Sequence, residues 1–67
     1  LPDVHTFFAA TPHHTTVVLQ NGRVLRVNCT VQEFESGVLA YSNGMMPECA
    51  FPFLCTYERE FIMGGTE

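Results

Sequence analysis

Asn21-Gly22 stands between two runs of β-branched and aliphatic residues, TTVVLQ at 15–20 and RVLRVNCTV at 23–31. No other feature constrains the fold as much. A two-residue type I′ turn needs positive φ at both central positions, and Asn-Gly adopts it more readily than any other pair of coded residues. With these two residues as the loop, Leu19 faces Val24, Val18 faces Leu25, Val17 faces Arg26 and Thr16 faces Val27. Alternation then assigns Thr16, Val18, Leu25, Val27, Cys29 and Val31 to the core face. Val17, Leu19, Val24, Arg26, Asn28 and Thr30 fall on the other face.

The same dipeptide recurs as Asn43-Gly44, between GVLAYS and MMPEC, and predicts a second hairpin that places Pro47 opposite Ala40. Proline has no amide to donate, so that strand lies at an edge or breaks early. Residues 55–63, CTYEREFIM, alternate as a final strand that begins after the AFPFL segment and ends at Gly64 and Gly65. Phe53, Cys55, Tyr57, Arg59, Phe61 and Met63 share one face of it. Gln32, Glu33 and Glu35 favour a helix over 30–36, but seven residues are too few without packing, and the segment reads as strand running into a turn. Residues 1–14, with Pro2, Pro12 and the apolar group 7–10, read as an extended N-terminal arm. The expectation is an all-β fold, a small barrel or curled antiparallel sheet of about five short strands over residues 15–67, with the arm beside it.

Size turns this into a functional argument. The 67 residues form one core, and a domain this short buries only about 60% of its unfolded surface, so it leans on disulfides, a metal or a partner. Apolar residues make up 46% and charged residues 15% of the chain, against a usual charged share of about 25%. Apolar side chains are therefore left to face another chain. Net charge is −4 and there is no lysine, with Arg23 and Arg26 the one close basic pair. That disfavours nucleic acid and anionic membrane surfaces, both of which demand clustered cations. The apolar run at 50–55 is interrupted by Pro52 and is far short of the roughly 20 residues of a spanning helix.

No catalytic constellation and no cofactor are expected. The chain has no Gly-x-Ser-x-Gly, phosphate loop, zinc-protease motif or Cys-x-x-Cys. Glu58 and Glu60 share a strand face but read as solvated. No metal is expected either, because His5, His13, His14 and the cysteines lack the spacing of a structural zinc site. The Asn28-Cys29-Thr30 tripeptide fits the glycosylation pattern, which has meaning only in a secreted chain.

Three cysteines leave at least one unpaired. Cys29 and Cys55, each on the apolar face of its strand, are the candidate disulfide, closing a loop of about 27 residues with a chain-entropy value of roughly 3.5 kcal/mol. The alternative is three reduced thiols behaving as small hydrophobes. Phe7, Phe8, Phe51 and Phe53, in proline-marked irregular segments, and Met45 and Met46, just past the tip of the second hairpin, are the candidate interface, unless they close the ends of the barrel. The function expected from this is a non-enzymatic structural or assembly subunit whose partners are protein subunits, in a homo-oligomer or larger assembly. A virion, a filament or an extracellular assembly is the setting it suits. The alternative is a small secreted recognition or inhibitor domain held by Cys29–Cys55.

Overall fold

The computed structural model describes residues 3–64. Along the chain run β1 (Val4–Thr11), β2 (His14–Leu19), β3 (Val24–Val27), α1 (Val31–Ser42), α2 (Pro47–Ala50) and α3 (Thr56–Ile62). The strands form one open antiparallel sheet in the order β1-β2-β3. The expected five-strand barrel is thereby corrected to a mixed α/β domain of three strands and three helices.

The hairpin at Asn21-Gly22 forms in a different register. Val18 pairs with Val24, Val17 with Leu25, Thr16 with Arg26 and Thr15 with Val27. Gly22 takes φ of 89° while Asn21 stays at negative φ, so the type I′ turn is not made. Instead Gly22 N–H donates to Leu19 O at 3.0 Å and Leu19 N–H to Arg23 O at 2.8 Å. The loop is thus three residues, a turn closed by a left-handed glycine. Asn21 Oδ1 reinforces it by accepting from Arg23 N–H at 2.9 Å. A slip of one residue exchanges the faces of one strand. Thr15, Val17 and Leu19 are consequently the buried set on β2, in place of Thr16 and Val18, whereas Val27 and Cys29 remain inside as expected.

Residues 4–11 of the N-terminal segment are an integral edge strand, joined to β2 through the Pro12-His13 turn. Leu1 and Pro2 lie outside the described residues. Phe7 pairs with Val17 and Phe8 with Thr16, and irregularities between Val4 and Thr6 and between Ala9 and Thr11 bend the two ends. Asp3 N–H donates to Ile62 O at 2.7 Å and Asp3 O accepts from Gln20 N–H at 3.1 Å, which ties the start of β1 to α3 and to the hairpin loop.

The second expected hairpin is a helix and its terminus. Thr30 caps α1 with a reciprocal box: its hydroxyl accepts from Glu33 N–H at 3.1 Å, and its own N–H donates to Glu33 Oε1 at 2.9 Å. Twelve residues follow, through Gly37. Asn43-Gly44 then ends the helix. Gly44, at φ 99°, donates to Tyr41 O at 3.0 Å, and Met45 N–H donates to Ala40 O at 3.1 Å. That bond pair is the Schellman arrangement, in which a left-handed glycine satisfies the last carbonyls. Pro47 opens α2 as its first residue, where a missing amide costs nothing, and is not an edge-strand proline.

The expected last strand is likewise helical. Cys55 N–H donates to Glu58 Oε1 at 3.0 Å at the start of α3, and Arg59 holds Leu54 O at 2.7 Å. Phe61 and Ile62 are adjacent and both buried, which one face of a strand does not permit but a helix flank does. Gly64 follows in a turn at φ 78°, and Gly65, the other expected terminator, lies outside the described residues.

The helices cover one side of the sheet. Phe34 is fully buried at the centre, with its ring edge-on to Phe7 at 4.8 Å and tilted against Phe51 at 5.7 Å. Val17, Leu19, Val27, Cys29, Ala50, Leu54, Phe61 and Ile62 complete the core. The buried Thr15 hydroxyl is satisfied by donating to Cys29 O at 2.9 Å.

Candidate functional site

Alternation on three paired strands builds the other side of the sheet as a small grid. Phe8, Thr16 and Arg26 lie directly across from one another, and Thr6, Val18 and Val24 form the neighbouring row. Phe8, Thr6, Val24 and Arg26 are exposed and Thr16 and Val18 half-buried. The face therefore has an apolar diagonal, Phe8–Val18–Val24, with a single guanidinium at its margin. The flanking edge strand β1 contains no Asp, Glu, Lys or Arg over its eight residues, and among the described residues its outer edge meets no strand.

A second apolar group lies on the helical side. On α1, Phe34, Gly37, Val38 and Tyr41 turn inward, so Gln32, Glu35 and Leu39 point away from the core. Met45 and Met46 follow the helix end. Leu39, Met45, Met46 and Tyr57, together with Phe8 and Val24 of the sheet, are the large apolar side chains exposed by 48% to 61%.

The six side chains expected at an interface divide between surface and core. Phe8, Met45 and Met46 are exposed, Phe8 on the sheet and the two methionines between α1 and α2. Phe7 and Phe53 are partly buried and Phe51 is fully so. Phe7 packs on Phe34, and Phe53 lies edge-on to Phe51 at 6.2 Å. The proline-marked segment around Phe51 is irregular because it turns between α2 and α3 inside the core, and irregularity alone did not indicate surface. Val24, Leu39 and Tyr57, outside the expected interface, are exposed as well. Val24 was legible as an outward residue of β3, whereas Leu39 and Tyr57 required the helices.

The cysteines do not form the expected pair. All three are free, with Cys29 buried beneath the sheet and Cys55 exposed at the start of α3. Strand alternation had placed Cys55 on an inward face, and the helix removes that premise. Burial pushes the Cys29 thiol up to about 11, assisted by the negative charges of Glu33 and Glu58 and opposed by the Thr15 hydroxyl. The folded state therefore keeps a proton that the unfolded chain releases at lower pH. The stability this contributes is complete below the ordinary cysteine range and is lost as pH rises toward about 11. Urea midpoints measured at about pH 8 and about pH 10.5 are expected to fall with pH more steeply for the wild type than for Cys29→Ala. Native alkylation is expected to place two adducts, on Cys49 and Cys55, and a third only after unfolding. Three adducts at equal rates would contradict the burial.

Two open grooves lie among the described residues. One, of about 530 Å³, is lined by Pro47, Glu48, Thr56, Arg59, Glu60 and Met63. Its guanidinium is already engaged by Leu54 O and Thr56 Oγ1. The other, of about 430 Å³ between α1 and α2, contains Cys49 and Glu33. Among the described residues no three His, Cys, Asp or Glu side chains are grouped to hold a metal ion, and no helix is long and apolar enough to cross a membrane. His14 Nδ1 is engaged with Thr11 Oγ1 at 2.8 Å in the β1–β2 turn. No protein-family model, curated protein or solved structure matches the chain.

Proposed function

We propose that this chain is a non-enzymatic structural subunit that acts through protein–protein contacts in a multi-chain particle such as a virion shell or a filament. What carries the reading is the uncovered sheet face, where Phe8 and Val24 stand exposed across the half-buried Val18. Sheets in isolated domains bury at least one face and keep the other polar. Here the outer face is half apolar, while the helical side adds Leu39, Met45 and Met46. Contiguous apolar surface rimmed by polar groups is the usual composition of a contact site. The uncharged edge of β1 lies alongside it and supports strand addition.

Sedimentation equilibrium from micromolar to millimolar concentration tests this. The average mass is expected to climb above the 7.5 kDa of one chain. Phe8→Asp and Val24→Asp, both on exposed positions, are expected to suppress the rise while leaving the far-ultraviolet circular dichroism unchanged. A mass of 7.5 kDa at every concentration, indifferent to both substitutions, overturns the proposal.

A further inference from the structure

Charge divides between the two layers. From α1 to α3 the chain carries Glu33, Glu35, Glu48, Glu58 and Glu60 against Arg59, a balance of −4. Among the described residues, the rows of the open sheet face carry Arg26 as their one charged side chain, while the Arg23 guanidinium lies 5.0 Å over the Phe61 ring of α3, against the helical layer. The helical layer is therefore acidic, and the open sheet face carries the single positive charge of Arg26. Each side also has an apolar centre of its own.

We infer that the open sheet face of one copy seats on the outer face of α1 in the next copy, head to tail, with Arg26 meeting Glu35. This rests on the assembly reading above and names its partner as a second copy of the chain. Glu35 lies one turn before Leu39 on the outward side of α1, so the carboxylate borders the apolar centre. Met45 occupies the position after the helix-ending glycine, from which a side chain ordinarily packs back toward the third or fourth residue from the helix end, here Ala40 and Leu39. The result is an apolar, acid-rimmed patch of Leu39, Met45 and Glu35. The sheet face of Phe8, Val18, Val24 and Arg26 is its counterpart, likewise apolar at the centre and opposite in sign.

The two symmetric alternatives are electrostatically poorer. Sheet against sheet brings Arg26 of both copies into one interface, and helix against helix opposes two acidic layers with Glu35 of both copies facing. Like charges facing each other are unfavourable and steer partners apart. Only the crossed pairing joins opposite signs. Because the two surfaces lie on opposite sides of the layered domain, the contact cannot close on a single partner. It repeats, giving an open chain or, with enough rotation per step, a ring.

Charge reversal tests the inference with the whole chain. Arg26→Glu and Glu35→Arg are each expected to weaken self-association by roughly tenfold or more at low ionic strength, with circular dichroism unchanged. An equimolar mixture of the two variants is expected to regain association, because the reversed sheet face of one fits the reversed helix face of the other. The wild-type mass is expected to pass beyond that of a dimer and to fall on adding salt. If the wild type associates but neither reversal matters, or the mixture stays dissociated, the head-to-tail contact is wrong while assembly stands. If the wild type never associates, the assembly reading fails with it.

Discussion

Phe34→Ala is expected to leave the chain without a stable folded state at room temperature. Phe34 is fully buried where the sheet, α1 and the α2–α3 turn meet, and its ring touches Phe7 from one side and Phe51 from the other. Truncating a buried phenylalanine to alanine costs about 3–5 kcal/mol, and each aromatic pair adds up to about 1 kcal/mol beyond area. A domain of this length has roughly 3–10 kcal/mol of stability in all. The loss therefore consumes most or all of it. Phe34→Leu keeps much of the volume and is expected to fold with a loss of about 1–2 kcal/mol. Urea titration followed by circular dichroism distinguishes the two. A cooperative Phe34→Ala transition near the wild-type midpoint would show that the core is not organised around this ring.

Gly37→Ala is expected to destabilise the protein although it replaces glycine with the best helix former. A Cβ at Gly37 would stand 2.5 Å from both Cδ1 and Cε1 of Phe51 and 2.9 Å from the carbonyl oxygen of Ala50. Helix propensity favours the change by about 1 kcal/mol. Overpacking a core costs about 1–3 kcal/mol, and here one of the opposing atoms is backbone, which cannot rotate away. With backbone among the opposing atoms the cost lies toward the upper end of that range, leaving a net loss of up to about 2 kcal/mol and a fall in Tm of roughly 4–8 °C for each kcal/mol. In a Phe51→Leu background the penalty is expected to shrink, since the ring is gone while the carbonyl remains. A rise in Tm for Gly37→Ala in the wild-type background would refute the close approach of α1 to α2.

Gly37 shows why local pattern points to strands in the second half of the chain where helices form. GVLAYS followed by Asn-Gly has the local signature of a strand and hairpin, because a left-handed residue is what both a hairpin loop and a helix end require. The deciding information was at the other end, in the Thr30-x-x-Glu33 capping box, whose residues were visible but stood before a stretch judged too short. Glycine inside a helix made that stretch look finished. It is there because Phe51, fourteen residues later, needs the space. The segment at 55–63 failed in the same way: strict alternation was present, yet Phe61 and Ile62 are buried together. The contact residues were partly legible. Phe8, Met45 and Met46 were identified, but nothing in a one-dimensional pattern separated them from Phe7 and Phe51, whose neighbours come from distant segments.

What the sequence determined by itself was local: the hairpin at Asn21-Gly22, the inward face of β3 and the shortage of charge. Turn chemistry and composition act within a few residues, so they can be read without the fold. The tertiary structure alone decided the register of the hairpin, the identity of the second half as helices and the side of the sheet left uncovered. Each depends on which atoms from remote segments compete for the same volume, and that competition has no signature along the chain.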